Sequence, residues 1–183
     1  MHASVADEIA AELERLAAEE PGVSDEDPAR APRHAERYLE LLGGAVESGP
    51  EFVFPAELPA VTGVSEVTGV DALQRHFRGW YAEEIPTRTP IVAVLEDGAA
   101  VSACFCARRS EEAAAAGLET AVGFRGRGLA VRVTAAWAAA VRASGRTPLY
   151  GTDWTNAASR AVARKLGLVR YASHWSVVAG SET

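Results

Sequence analysis

The chain has 183 residues, of which 48% are hydrophobic and 23% charged, a composition typical of one globular domain that buries its own core. No apolar stretch approaches the roughly 20 residues that span a bilayer, and the acid-rich N-terminus lacks the basic start and apolar run of a signal peptide, so we expect a cytoplasmic protein without membrane contact. The net charge of −7 is unevenly distributed, because residues 1–120 hold 23 acidic and 9 basic side chains, whereas residues 121–183 hold 2 acidic and 9 basic ones. The basic C-terminal third therefore suits an anionic ligand. The alternative is that these side chains are solvated surface charges.

The N-terminal part of the chain is predicted to be mostly helical. Apolar residues at helical spacing predict an amphipathic helix over about residues 4–20, ended by Pro21-Gly22. The elements predicted next are a loop at 22–32, a helix at 33–42, a short strand at 52–54, a turn-rich stretch at 58–70 and a helix at 71–81. We therefore assign residues 1–50 to an N-terminal helical extension.

From residue 90 the pattern changes to alternating strands and helices. Strands at 91–95 and 99–107 are predicted to form a hairpin around Glu96-Asp97-Gly98. The sequence leaves two alternatives for the stretch 113–122. Its alanines favour a helix, and the alternation of side chains near its end favours a strand. The later predicted elements are a helix at 128–143, a strand at 148–152, a helix at 156–166 and a final hairpin at 168–178. The sequence thus predicts an α/β fold with a mixed sheet and a crossover between parallel strands.

The segment Arg125-Gly126-Arg127-Gly128-Leu129-Ala130 joins a strand to a helix. The first turn of a helix has backbone N–H groups without partners, its macrodipole adds positive charge, and glycines let these amides approach an anion. With two arginines added, the turn is predicted to hold a pyrophosphate. A P-loop requires Lys-Ser/Thr where Leu129-Ala130 stands, and the dinucleotide fingerprint requires Gly or Ala where Val131 stands. A purely structural turn is the alternative.

Two motifs resemble those of a known family. The pattern of Arg125, Gly128 and Ala130 resembles the acyl-CoA-binding signature of the GNAT superfamily of N-acetyltransferases, and Asn156-Ala157-Ala158-Ser159 with the stretch 163–168 resembles its second signature. Their order and spacing match over about residues 90–178. The stretches 94–120 and 49–55 also look like a bacterial GNAT subgroup of unassigned substrate. The resemblance implies a GNAT acyl-CoA N-acyltransferase fold over residues 51–183.

The resemblance also implies a binding site for acetyl-CoA as co-substrate. In such enzymes the strand before the glycine turn splays from the next parallel strand, and the pantetheine arm pairs with the open edge. Here that edge is expected at about Glu119 to Val122, with 148–152 as the diverging neighbour. The implied contacts are Thr120, Ala121, Val122, Arg125, Gly126, Arg127, Gly128, Leu129, Ala130, Asn156 and Ser159. For Asn156 the alternative is a helix cap, and for Ser159 a surface position.

Transfer of an acyl group to an amine needs a base for the amine proton and a donor for the thioester oxyanion. Glu119 is the candidate base, with a merely solvent-facing carboxylate as the alternative, and a backbone N–H near Ala121 or Val122 is the candidate donor. Many GNAT members have a tyrosine seven residues after the motif asparagine, where it protonates the leaving thiolate, but Ala163 stands there. The candidates to replace it are Tyr171, named here as the catalytic candidate, Tyr150 and His174. Unassisted departure also stays open, because a free thiol has a pKa of about 8.5.

The predicted function is therefore that of an N-acetyltransferase, a transferase that passes the acetyl group of acetyl-CoA by direct attack to a primary amine of a small molecule or peptide. The alternative is an acetyl-CoA-binding sensor or regulatory module with little turnover. We expect no metal, because Cys104 and Cys106 have no histidine at ligand spacing. We expect no nucleic-acid partner, because aromatic residues are not interleaved with the C-terminal arginines. A homodimer is allowed.

Overall fold

The computed structural model describes residues 6–21 and 27–178, so the start of the first predicted helix and positions 22–26 of the predicted loop lie outside the described residues. The chain divides into two compact units. The first comprises Met1–Pro50, Thr152–Thr155 and Ala172–Thr183, and the second comprises Glu51–Gly151 and Asn156–Tyr171.

Seven strands of the described residues form a mixed sheet. They are β1 (Ala45–Val53), β2 (Ser65–Glu66), β3 (Val92–Glu96), β4 (Ala99–Arg109), β5 (Ala113–Thr120), β6 (Thr147–Gly151) and β7 (Val169–Val178). Their order is β2-β3-β4-β5-β6-β1-β7. The β5–β6 pair is parallel, and the β2–β3, β3–β4, β4–β5 and β1–β6 pairs are antiparallel. The predicted mixed α/β fold with a crossover is therefore confirmed, and 113–122 takes the strand alternative up to Thr120.

Six helices accompany these strands among the described residues. They are α1 (Asp7–Ala18), α2 (Ala35–Leu42), α3 (Asp71–Gln74), α4 (Ile85–Arg88), α5 (Leu129–Ala143) and α6 (Ala157–Lys165), with 3₁₀ turns at Ala82–Glu84 and Val122–Phe124. The helices predicted at 4–20, 33–42, 128–143 and 156–166 agree with α1, α2, α5 and α6 within a few residues, because each carries its own apolar periodicity.

The second unit has an apolar core on each face of its sheet. On one face α5 packs Val133, Trp137 and Val141 against strand residues such as Cys104. The other face is covered by the segment 67–91, which buries Leu73, Phe77 and Trp80 together with Ala103 and Phe105 of β4. Strand β4 is buried on both faces because its alternate side chains enter the two cores in turn.

The helix predicted at 71–81 is wrong beyond Gln74. The Gln74 side-chain amide donates a hydrogen bond of 3.0 Å to the backbone carbonyl of Trp80, which closes the chain into a turn. Gly79 has φ +86°, a left-handed conformation that ends helical continuation. Phe77 and Trp80 are both buried, but they lie beyond the end of α3 and not on one face of a continuous helix.

The short strand predicted at 52–54 is the end of the longer strand β1, which begins at Ala45 and lies between β6 and β7. A Cβ at Gly49 would stand 1.6 Å from the carbonyl oxygen of Thr152, so only glycine allows this close approach of two backbones. Strand β1 runs across the boundary expected at residue 50, and the division into an extension and a domain stays a prediction.

The final hairpin predicted at 168–178 is wrong, because β7 is one continuous strand. No glycine, proline, asparagine or aspartate interrupts Val169–Val178, so nothing in the segment favours a tight turn. Its neighbour in the sheet is β1, from the other end of the sequence. The alternation of apolar and polar residues could not show whether the strand that pairs with this segment lies within it or more than a hundred residues away.

Candidate active site

The parallel ladder between β5 and β6 stops halfway along β5. It pairs Ala113 with Thr147, Ala114 with Pro148 and Ala115 with Leu149, and no further. Strand β5 continues to Thr120, still paired with β4 on its other side. The edge of β5 that faces β6 is therefore open from residue 116, which supports the expected splay and moves its start three residues upstream of the predicted one.

The backbone groups on this edge follow from the β4–β5 ladder. The N–H of Ala121 donates to the Val101 carbonyl over 2.9 Å, and antiparallel pairs exchange hydrogen bonds at alternate residues. Residues 117 and 119 therefore also face β4, whereas Ala116, Leu118 and Thr120 direct their N–H and C=O groups toward β6. Ala121 is for this reason wrong as an oxyanion donor, and the expectation rests on Val122 alone.

The glycine turn follows β5 after Ala121 and the 3₁₀ turn Val122–Phe124. Gly126 and Gly128 have φ of +77° and +76°, and a Cβ on either would meet no atom within 4 Å, so both open onto free space. The 15-residue helix α5 starts at Leu129, and its first internal hydrogen bond runs from the N–H of Arg132 to the carbonyl of Gly128. The N–H groups of Leu129, Ala130 and Val131 therefore have no partner within the helix. This geometry fits an anion, with amides and helix dipole on one open surface.

The two arginines of the turn are placed differently. Arg127 lies 3.7 Å from a carboxylate oxygen of Glu96, stacks over the Phe124 ring at 4.9 Å and donates to the Gly123 carbonyl. Arg125 is exposed and donates through Nε to the carbonyl of Thr120, on the open edge of β5, over 3.2 Å. Arg125 thus connects the open edge with the glycine turn, whereas part of the charge of Arg127 is balanced by Glu96.

The second motif is engaged in local hydrogen bonds. Oδ1 of Asn156 accepts the backbone N–H of Ser159 over 3.0 Å and caps helix α6, so the capping alternative describes its contact in this structure. Oγ of Ser159 lies 2.7 Å from the hydroxyl of Tyr150, so it is not a bare surface residue. Tyr150 is 2% exposed, and burial raises its pKa to about 12 against the lowering effect of Ser159. Whether Asn156 and Ser159 contact a cofactor stays a prediction.

Glu119 is half-buried and does not simply face solvent. It pairs with Ala103 of β4 and lies on the face that the segment 67–91 covers. Burial raises the pKa of its carboxyl, and the indole of Trp80 and the charge of Arg88 oppose that shift. Its backbone carbonyl accepts a 3.2 Å hydrogen bond from Ser102, whose Oγ also lies 2.8 Å from Oγ1 of Thr120. A half-buried carboxylate with a raised pKa accepts a proton more readily than an exposed carboxylate does.

The candidates for the thiolate proton are scattered. Ala163 is 2% exposed and belongs to the core beside α5. Tyr171 is 54% exposed on β7, where burial and the Glu51 charge raise its pKa. Strand β7 is three strands from β5, about 14 Å at normal strand spacing, so the structure does not bring Tyr171 to Glu119. Tyr150 is on β6, one residue beyond the last β5–β6 pair. His174 is half-buried in the first unit.

Two residues beside Glu119 were not among the sequence candidates. The sequence placed Trp80 only within the helix predicted at 71–81, and Arg88 was not singled out. The missing signal is spatial, because these side chains reach Glu119 from a separate segment, 31 or more positions earlier in the sequence.

The described part of the chain holds two buried cysteines and no cluster of metal-ligand side chains. Residues 6–21 and 27–178 contain no group of three or more His, Cys, Asp or Glu side chains placed to hold a metal ion. Cys104 and Cys106 are free and buried, and burial raises the pKa of both thiols, which keeps them protonated. No helix within these ranges is long and apolar enough to cross a membrane.

Comparison with known proteins points to one family. Residues 91–176 match the family model described as GNAT acetyltransferase. No curated protein matches the chain significantly. Among solved structures, a GNAT-family protein from Novosphingobium aromaticivorans DSM 12444 is similar with a TM-score of 0.63 and 20% identity, over 76% of this chain and 66% of that one.

Two further solved structures are similar at lower scores. A GNAT-family acetyltransferase from Colwellia psychrerythraea has a TM-score of 0.56 and 15% identity, over 72% of this chain and 56% of that one. A GCN5-related N-acetyltransferase-like protein from Streptococcus suis 89/1591 has a TM-score of 0.54 and 17% identity, over 77% of this chain and 65% of that one. This chain thus spans two thirds or less of each of these three relatives. At such identities the likeness shows the shared fold.

Proposed function

Residues 91–176 of this chain are a GNAT acetyltransferase domain, and from that premise we propose that the protein is a transferase that moves the acetyl group of acetyl-CoA to a primary amine of a small molecule or peptide. The observation that carries the proposal is the end of the β5–β6 ladder at Ala115 and Leu149, which leaves the last five residues of β5, Ala116 to Thr120, open on the strand that leads to the glycine turn. An open strand edge followed by an anion-binding helix start matches a ligand with amide groups and a pyrophosphate.

The residues that would hold acetyl-CoA divide into two sets. The backbone groups of Ala116, Leu118 and Thr120 on the open edge would pair with the amides of the pantetheine arm, as an added strand does. The N–H groups from Gly126 to Ala130 and the guanidinium of Arg125 would take the pyrophosphate. When bound, acetyl-CoA supplies the acetyl group as a thioester.

The chemistry that remains for the protein is proton transfer. An amine attacks a thioester only with a free lone pair, so an ammonium substrate must first lose a proton. The half-buried carboxylate of Glu119 is the proposed acceptor, because its raised pKa brings it closer to that of the amine than an exposed carboxylate would be. Ala163 has no proton to give to the departing thiolate. In place of the usual tyrosine we propose either that the thiolate leaves unprotonated or that Tyr150 donates the proton.

Titration of the protein with acetyl-CoA by calorimetry, followed by free-thiol release across a panel of amines, tests the proposal. We expect 1:1 binding and thiol release with at least one amine. Absence of binding would contradict both the transferase and the sensor alternative. Binding without turnover on any amine would favour the sensor.

A charge reversal tests the placement of the pyrophosphate. Arg125→Glu is expected to weaken acetyl-CoA binding by at least about tenfold, because a hydrogen bond to a charged group contributes on the order of 1.5–3 kcal/mol and the new carboxylate repels the anion. Arg108→Glu is the matched control, since this exposed arginine is at the far end of β4 and changes the net charge equally. Equal affinities of the two variants would refute the placement.

A further inference from the structure

The covering segment 67–91 brings a buried polar group to the proposed base. Trp80 is 2% exposed, and its indole N–H forms no hydrogen bond among the described residues. A buried donor without a partner is costly, so its position needs an explanation. The same indole N–H lies near enough to the Glu119 carboxylate to lower the pKa of that carboxyl, although the pair does not meet hydrogen-bond geometry.

The packing that places Trp80 there is well defined. The Phe105 ring lies over Gly117 of β5, where a Cβ would be 2.4 Å from the ring. Trp80 packs edge-on against Phe105, with ring centroids 4.7 Å apart and planes at 82°. Because side chains alternate along a strand, Gly117 and Glu119 share this face, so Trp80 and Glu119 meet beside Phe105.

Arg88 stacks on the same aromatic pair. Its guanidinium carbon lies 4.6 Å from the Trp80 ring centroid and 5.3 Å from that of Phe105, and its Nη2 is 2.7 Å from a carboxylate oxygen of Glu84. The charged group that acts on Glu119 is therefore Arg88, itself paired with Glu84. The β4 residues on this face, Ala103 and Phe105, have no titratable group. The side chain of His76, in the same covering segment, packs on Phe124.

We propose that Trp80 is a positioning residue for Glu119: a small rotation of the glutamate side chain closes a hydrogen bond from the indole N–H to the carboxylate, and the stacked Arg88 fixes the indole for it. The role as a positioning residue rests on the proposed function of Glu119 as the base. Catalytic hydrogen bonds that are loose without substrate commonly tighten when the complex forms. The arrangement turns a partly buried carboxyl into a proton acceptor with a fixed direction.

Nuclear magnetic resonance of the whole chain tests the contact without any activity. The Trp80 indole ¹H–¹⁵N signal, assigned by its loss in Trp80→Phe, is expected to shift as pH is lowered through the ionisation of Glu119, and to stay constant in Glu119→Gln. The indole of Trp137, a buried residue of α5 on the opposite sheet face, is the internal control, and its signal should not change with the ionisation of Glu119. If the chemical shift of the Trp80 indole does not change with the ionisation of Glu119, the inference is overturned, and this result does not depend on what the protein catalyses.

The pH dependence of kcat/KM tests the consequence. Loss of the indole N–H or of the Arg88 charge raises the pKa of Glu119, so the acid limb should move to higher pH in Trp80→Phe and Arg88→Met. At pH values below the inflection, kcat/KM of Trp80→Phe should fall by about tenfold, the effect of one hydrogen bond to a charged group. Arg78→Met is the matched control, an exposed arginine of the same segment, and its profile should match the wild type.

The outcomes separate this inference from the proposed function. If the protein binds no acetyl-CoA or accepts no amine, the proposed function fails and the indole titration alone decides the contact. If the protein is active and the acid limb of Trp80→Phe coincides with that of wild type, the positioning role is refuted. A loss of kcat/KM that is equal at all pH values would indicate only a packing defect and would also refute it.

Discussion

Replacement of the buried Tyr150 by phenylalanine should have opposite effects at neutral and alkaline pH. The Tyr150 hydroxyl lies 2.7 Å from Oγ of Ser159, and its ring packs edge-on against Phe54 with centroids 6.4 Å apart. Tyr150→Phe keeps the ring and removes the hydroxyl. At pH 7 we expect a loss of about 1 kcal/mol in the free energy of unfolding, typical for one intramolecular hydrogen bond.

The alkaline behaviour follows from the pKa of this hydroxyl. Burial raises it from 10.0 to about 12, so the folded state favours the neutral phenol. The stabilisation is fully present below pH 10, the pKa of an unfolded tyrosine, and is lost as pH rises to about 12. One unit of pKa corresponds to about 1.4 kcal/mol, so the wild type should lose roughly 3 kcal/mol over this range that the variant does not lose. The variant therefore becomes the more stable protein near pH 12.

Urea unfolding of both proteins at several pH values between 7 and 12, followed by far-ultraviolet circular dichroism, measures this effect. Tyr38, Tyr171, Cys104 and Cys106 also have raised pKa values, but they are present in both proteins and cancel in the difference. The difference in free energy of unfolding should change sign between pH 10 and 12. A difference that stays constant over the whole range would refute the burial of this hydroxyl.

Three further substitutions test the geometry. Gly49→Ala places a Cβ 1.6 Å from the Thr152 carbonyl oxygen and should destabilise the fold by about 3 kcal/mol in urea unfolding, whereas an effect below that of an ordinary surface change would contradict the close approach of β1 to the Thr152 backbone. Gly128→Ala forces a Cβ onto a residue with φ +76° and should cost about 1–2 kcal/mol by the same measurement; an unchanged stability would argue against the left-handed start of α5. Asn156→Ala removes the α6 cap and should cost about 1 kcal/mol, while Asn156→Ser, which retains a capping oxygen, should recover most of it, and no difference between the two would contradict the capping contact.

The local part of the site could be predicted from the sequence. Glycines at 126 and 128 before an apolar-periodic helix determine a turn with open amides, because positive φ and helix starts depend on nearest neighbours. The alternation of residues 118–122 indicated a strand for the same reason. The motifs of Arg125 and Asn156 extended this to the fold, and the structural likeness agrees.

The remaining features depend on contacts between distant segments. The last β5–β6 pair at Ala115 and Leu149, the position of β1 between β6 and β7, and the approach of Trp80 to Glu119 each join residues at least 34 positions apart. Local periodicity states which face of a strand is apolar, but neither which strand pairs with it nor where that pairing ends. The predicted final hairpin and the predicted donor at Ala121 were wrong for this reason.

The sequence by itself determined the helices α1, α2, α5 and α6, the glycine turn before α5 and the absence of a hydroxyl at position 163, because these are properties of single positions and their neighbours. Only the tertiary structure decided which backbone groups of β5 are open, that Asn156 caps α6, and that Glu119 is half-buried beside Trp80 and Arg88. The physical reason is that burial and hydrogen-bond partners of a side chain are set by whatever packs against it, and for Glu119 that is a segment 28 or more residues earlier in the chain.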